Sequence, residues 1–173
     1  QGVVFEIKGK SSLNMDALAA AEYWTRLQRG QSIGVDQARS MYEFLSEKTG
    51  RKRGQKKLPS FSADPEEQVH ADDLQERGGL VMSMETPWHA ALERMPQEDI
   101  SYMQAARRRG EKLRSEPRVK VSTIHSAKGG EADHVVLMTE MAQRTFREME
   151  ANPEDERRVW YVGVTRTRKK ITI

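Results

Sequence analysis

Residues 121–133 read VSTIHSAKGGEAD. They close an alternating run, RVKVSTI at 118–124, that places Val119, Val121 and Thr123 on one face of a strand. Such a strand delivers Thr123 and His125 to the carboxyl end of a sheet, where open α/β sheets bind their ligands. The residues that follow are small: Ser126, Ala127, then Gly129 and Gly130 beside Lys128. A loop of that kind presents backbone amides to phosphate and lets another chain come close. Glu131 adds a carboxylate able to accept hydrogen bonds from sugar hydroxyls. Each residue alone has an ordinary reading: a structural histidine, a solvated lysine, a glycine turn. The run as a whole is far more specific.

Working outward, strand-like segments lie at both ends of the chain. Val3 to Ile7 is rich in β-branched and aromatic residues, 135–138 is an apolar run read as a buried strand, and 171–173 is a third. Between them lies a helical block. Helices are expected over 15–28, with Asn14 or Ser12 as cap and Gly30 as stop, and over 36–48, closed by Gly50. Asp64-Pro65-Glu66-Glu67 has a cap, a proline at the first helical position and a glutamate three residues on, which predicts a helix start. Thr86-Pro87 predicts another, burying Trp88, Ala91, Leu92 and Met95, and a further helix is expected over 97–113. Strands at the ends with about one hundred helical residues between them predict an α/β domain carrying a mainly helical insertion.

The 173 residues carry 36% apolar and 32% charged side chains with a net charge of +3, so the chain can bury a core beneath an ionic surface. Cysteine is absent, which excludes disulfides and thiolate zinc sites, and no metal site is predicted. No apolar run approaches the roughly 18 residues of a membrane span. A cytoplasmic setting, in a bacterial or phage-infected cell, is the expectation. Because strand-like runs sit at both termini, the chain is expected to be a piece of a longer protein. Gly9-Lys10-Ser11 invites a phosphate-loop reading, but the required earlier glycine falls at Val4, inside the strand. A turn with a solvated lysine is the better reading.

TIHSAKGGEADHVVL, residues 123–137, resembles motif V of the UvrD/Rep-type superfamily 1 DNA helicases, and DERRVWYVGVTR, residues 155–166, resembles motif VI. The resemblance implies a RecA-like, P-loop NTPase-like parallel-sheet domain lacking the P-loop. It assigns 1–10 and 117–173 to the second motor domain and 11–116 to a helical accessory insertion. It implies an ATP-dependent helicase or translocase acting on single-stranded DNA with 3′-to-5′ movement. ATP and Mg²⁺ would be held mainly by an N-terminal RecA-like domain upstream of Gln1, so the fragment alone is expected to be inactive as an ATPase. Arg166 resembles the arginine that reaches the γ-phosphate, Glu131 the carboxylate near the ribose, and Gly129 and Gly130 the backbone approach to nucleotide. Thr123 and His125 resemble groups touching the single-strand backbone, and Lys128 adds charge there. Where many family members have leucine, this chain has Gly130, which loosens the loop.

Two conflicts and one rival remain. Trp160 to Val164 is strand-like by propensity, whereas the resemblance and Pro153 with its following acids favour a helix over about 153–168; helix is the reading adopted. Arg107 and Arg108, with Arg109, Lys112 and Arg114, suit either contacts with duplex DNA phosphates or a solvated helix end whose cations complement the dipole. The basic stretch RKRGQKKLPSFSA, 51–63, admits the same two readings, with a mobile solvated loop favoured. Trp24, Trp88 and Trp160 are read as core. The rival function is a stand-alone nucleic-acid-binding or regulatory module with a RecA-like fold and no ATPase activity.

Overall fold

The computed structural model describes residues 2–61, 64, 67–140 and 142–173. The chain divides into two compact units: residues 1–5 with 11–118, and residues 6–10 with 119–173.

The first unit holds nearly all of the buried apolar side chains. Helix α1, Met15–Gln28, starts where Asn14 Oδ1 accepts from the Ala17 amide at 3.2 Å and buries Ala17, Leu18, Ala21, Trp24 and Leu27. Trp24 Nε1 donates to the Thr86 carbonyl at 2.9 Å, so the indole is buried without an unpaired N–H. Helix α2, Val35–Tyr42, is shorter than expected. After Tyr42 the amides of Glu43, Phe44 and Leu45 each bond three residues back, so the chain tightens into 3₁₀ geometry while keeping Leu45 buried.

Strands β3, Ile33–Gly34, and β4, Gln68–Val69, pair antiparallel, with Ile33 and Val69 in register and both fully buried. A helix starting at 64 does not continue through 68–69, where burial of Val69 against Ile33 holds the chain in a strand. Helix α3, Ala71–Glu76, begins only after His70, whose amide donates to Asp73 Oδ2 at 2.9 Å. Pro65 and Glu66 of that expected start lie outside the described residues.

Helix α4, Trp88–Ala91, is one turn long, and Trp88, Ala91, Leu92 and Met95 are buried as the pattern implied. Helix α5, Gln97–Arg108, ends before the expected 113. Gly110 sits at φ +77°, its amide bonds to the Arg107 carbonyl, and the Glu111 amide bonds to the Ala106 carbonyl. Those paired bonds form a Schellman stop, which a glycine permits at little cost. Tyr102 Oη on α5 donates to the Val3 carbonyl at 2.6 Å and lies 2.6 Å from Ser12 Oγ, tying the N-terminal segment into the unit.

The stretch 51–61 is not solvated along its whole length. Arg51, Leu58 and Phe61 are buried, the Lys52 amide donates to the Gly79 carbonyl at 2.8 Å, and Arg51 bridges Leu80. Ser62 and Ala63 lie outside the described residues.

Three strands, β1 (Phe5–Ile7), β2 (Lys10–Ser11) and β5 (Val119–Val121), form a sheet of order β2-β1-β5. In the second unit, strand β6, Ala132–Val136, runs parallel to β7, Thr167–Thr172, with Val135 opposite Ile171 and Val136 opposite Thr172. Helices α6, Gln143–Ala151, and α7, Pro153–Val164, lie between them in sequence, as a parallel pair requires a crossover. The motif-based helix reading of Trp160 to Val164 is therefore correct, with the helix ending at Val164 and β7 beginning earlier than 171. The run 135–138 is not a buried strand. Leu137 is buried and Val135 half-buried, but Val136 and Met138 are 66% and 71% exposed, so β6 alternates with one covered face. The mixed α/β class stands, with the described strands in three separate sheets.

Candidate functional site

The strand that opens the deciding stretch is short: β5 stops at Val121, and 123–130 winds through successive turns. Thr123 drives the first of them. Its Oγ1 accepts from the Ser126 amide at 3.2 Å and lies 2.9 Å from Ser126 Oγ. The Ala127 amide bonds back to the Thr123 and Ile124 carbonyls, Lys128 to His125, and Gly130 to Ala127 at 3.0 Å. These bonds turn the backbone inward and leave the side chains of Thr123, His125 and Lys128 exposed on one compact turn.

The two glycines are not equivalent. Gly129 sits at φ +84°, which L side chains rarely adopt. Gly130 has an ordinary φ, and a Cβ there would meet only the Ala127 carbonyl oxygen, at 3.4 Å. A Cβ at residue 130 therefore fits this backbone.

Helix α7 brings the second motif to this loop. Its C-terminus is closed by Thr165, whose amide bonds to the Tyr161 carbonyl and whose Oγ1 donates to the Val162 carbonyl at 3.0 Å. Arg166 follows. Its Nε donates to the Val162 carbonyl at 3.1 Å, Nη2 to Thr165 Oγ1 at 3.2 Å, and Nη1 to the Gly130 carbonyl at 3.4 Å. In the opposite direction, the Ala132 amide donates to the Arg166 carbonyl at 2.9 Å. Glu131 is thus flanked on both sides by contacts to residue 166, and its own side chain is exposed. A guanidinium has five N–H donors. Three are directed to uncharged oxygens, and no carboxylate among the described residues forms an ion pair with Arg166. The half-buried group carries a cationic charge and spare donors beside an exposed carboxylate and a glycine loop.

What sets this spacing is Gly163, a residue without an assigned role in the sequence reading. A Cβ there would lie 3.1 Å from Leu137 Cδ2 and 3.3 Å from Ile124 Cδ1, closer than ordinary van der Waals contact. Helix α7 approaches Leu137 and Ile124 this tightly with no side chain at residue 163 to push them away. The clue was available in the sequence: a glycine inside a helix costs about 1 kcal/mol against alanine, so it asks for a packing reason. The start of the parallel pair is clipped by Asp133, which receives Lys169 Nζ at 2.6 Å and lies 3.3 Å from Arg168 Nε. Exposed pairs of this kind contribute at most about 1 kcal/mol.

The structure thus gathers Gly129, Gly130, Glu131 and Arg166 in one place and sets Thr123, His125 and Lys128 on the adjoining turn. Arg107 and Arg108 belong to the other unit, on the exposed last turn of α5, where the Arg107 guanidinium stacks 5.6 Å from the Trp88 ring centroid. Trp24 and Trp88 are core residues, and Trp160 is half-buried along a groove with Met149 and Pro153.

Comparison with curated proteins and with solved structures gives no match. The family model of the UvrD-like helicase C-terminal domain matches residues 45–173, a span that contains both the glycine loop and Arg166. With most of its length matched, the chain belongs to the UvrD-like helicase C-terminal domain family.

Proposed function

We propose that this chain is the nucleotide-completing and DNA-gripping part of an ATP-dependent helicase or translocase that moves on single-stranded DNA, with Arg166 as its arginine finger. The observation that carries the reading is the contact of Arg166 Nη1 with the Gly130 carbonyl, together with the Ala132 amide on the Arg166 carbonyl. They hold a guanidinium with no acidic partner among the described residues beside the glycine loop, and this supports the reading. A planar, permanently charged fork is suited to charge spread over phosphoryl oxygens in the transition state. In this reading residues 1–10 and 117–173 belong to a RecA-like second motor domain and 11–116 to an accessory insertion.

ATP is the substrate, and the phosphate loop belongs to a first motor domain that closes on this one. Magnesium, when bound with ATP, would supply Lewis-acid charge on the phosphates. Among the described residues no three His, Asp or Glu side chains converge, and we assign its ligands to that first domain as well. Arg166 contributes charge at the γ-phosphate, Gly129 and Gly130 allow close backbone approach, and Glu131 accepts from the ribose hydroxyls. Thr123, His125 and Lys128 line the neighbouring DNA backbone, with the Thr123 hydroxyl already committed to shaping the turn. Because one turn adjoins both ligands, a shift of α7 against it couples nucleotide state to DNA grip. The 3′-to-5′ direction rests on the resemblance to UvrD/Rep helicases.

The test is Arg166→Ala in the protein that carries the phosphate loop, with ATP turnover and DNA binding measured separately. DNA-stimulated turnover should fall by about 10³ to 10⁵, the range for arginine fingers, while single-strand binding survives. Equal turnover in variant and parent removes Arg166 from the site.

A further inference from the structure

The stretch 51–57, RKRGQKK, carries five cations and no acid. Two of the cations are accounted for inside the fold. Arg51 is 1% exposed and pairs with Glu47 Oε1 at 3.1 Å, and Lys56 pairs with Glu43. The remaining three, Lys52, Arg53 and Lys57, are exposed, and no carboxylate among the described residues pairs with them.

The loop that carries them is built rather than slack. The Lys52 amide is held by the Gly79 carbonyl at 2.8 Å, and a Cβ on Gly79 would lie 2.7 Å from Gln55 Cγ, so the Gln55 side chain packs directly on the Gly79 backbone. The Lys57 carbonyl accepts from Arg39 Nε at 3.1 Å. Gln55 bonds to Lys52, Leu58 to Gln55 and Phe61 to Leu58 in successive turns. Leu58 is in the left-handed region at φ +50° yet fully buried. That conformation costs a non-glycine residue about 1–2 kcal/mol, and burial of the leucine side chain, about 1.5–3 kcal/mol, offsets it. The fold therefore accepts local strain to hold this shape, and the tip at Gly54, φ +81°, turns sharply in open space.

We infer that this pre-shaped prong is a binding surface for the phosphate backbone of nucleic acid, separate from the glycine loop and Arg166. The ligand class follows from what the prong exposes. Its large apolar residues, Leu58 and Phe61, are buried and Pro59 is exposed, so no aromatic ring is offered for stacking on bases. What remains is cationic charge on a fixed frame, which suits sequence-independent contact with a dense row of phosphates. An acidic protein would also be attracted, but a prong with no exposed aromatic or large aliphatic anchor lacks what dominates protein interfaces. The inference rests on the reading of the chain as a DNA-acting helicase part, and the experiment separates the two.

This chain and its Lys52→Ala/Arg53→Ala/Lys57→Ala variant are titrated with a short mixed-sequence DNA duplex by fluorescence anisotropy across a salt series. Each phosphate contact contributes about 0.9 to the slope of log affinity against log salt on duplex DNA. Loss of three contacts should therefore flatten the slope by roughly 2.7, with an unchanged circular dichroism spectrum, since all three side chains are exposed. A slope unchanged by the triple substitution, while the parent binds, overturns the inference and leaves the DNA-acting reading standing. Failure of the parent to bind duplex at low salt overturns the inference, and failure to bind single-stranded DNA as well overturns the DNA-acting reading of this chain with it. A polyglutamate peptide that binds the parent as tightly as the duplex also overturns it, by showing a general polyanion site.

Discussion

Gly129 and Gly130 are neighbours with opposite tolerance for a side chain, and the difference can be worked from the backbone. A Cβ on Gly129 meets nothing within 4 Å, so Gly129→Ala carries no steric clash with its surroundings; its cost is that of an L residue at φ +84°, about 1–2 kcal/mol. Gly130→Ala has no such cost, and its Cβ only touches the Ala127 carbonyl oxygen at 3.4 Å. Both substitutions lower the entropy of the unfolded chain to the same extent, by about 0.4–1 kcal/mol. The net expectation is that Gly130→Ala stabilises the second unit by about 0.5 kcal/mol or slightly more, and that Gly129→Ala is worse than it by about 1–2 kcal/mol. That difference is a factor of about 5–30 in an opening equilibrium. Native-state hydrogen exchange reads it at two amides beside the loop: Ala132, bonded to the Arg166 carbonyl at 2.9 Å, and Leu137, bonded to the Thr172 carbonyl at 2.8 Å. Equal protection of these amides in the two variants, or faster exchange in Gly130→Ala, would refute the assignment of the left-handed residue.

Two further outcomes follow from packing and burial. Gly163→Val places two extra methyl groups beyond a Cβ already 3.1 Å from Leu137 Cδ2; it should destabilise the second unit by about 1–3 kcal/mol and lengthen the 3.4 Å contact between Arg166 and Gly130, checked by exchange at the Ala132 amide. In the first unit, burial pushes the Tyr42 hydroxyl well above the ordinary tyrosine range, with Arg51 pulling weakly the other way. Since the folded state holds that proton more tightly than the unfolded state, its contribution is fully present below about pH 10, the ordinary tyrosine value, and is lost as pH rises above it. Tyr42→Phe, which also removes a buried hydroxyl without a hydrogen-bond partner, should be neutral or stabilising at pH 7 and should flatten the alkaline loss of stability in urea titrations above about pH 10.

The sequence was most legible where local signals agree. Helix α1 matches at both ends because Asn14 caps it, its apolar spacing is regular and Gly30 stops it. Helix α7 was not legible from propensity, since Trp160 to Val164 favour strand; only the motif around it pointed to helix, and burial of Gly163 against Leu137 and Ile124 supplies the tertiary reason. Strands β3 and β4 are two residues each, too short to show a period, and their pairing is decided by Ile33 meeting Val69 in the core. The 51–61 stretch looked solvated because its composition is basic. The burial of Arg51 and the left-handed Leu58 depend on distant partners that no local pattern announces. At the candidate site the residue types were readable from the motifs, whereas the spacing role of Gly163 and the unequal glycines emerged only with the backbone in place.

The uneven distribution of buried side chains between the units bears on how the protein responds to heat. Almost every fully shielded apolar residue lies in residues 11–118, while the second unit shields Leu137 and little else. Melting should then proceed in two stages, with the motif-bearing segment loosening first and the helical block persisting as a compact remnant. Limited proteolysis on a warming ramp would cut within 119–173 before the block is touched. The candidate site thus sits in the unit that shields fewer apolar side chains, where small changes in temperature or a bound neighbour should have the greatest leverage over the position of a single guanidinium.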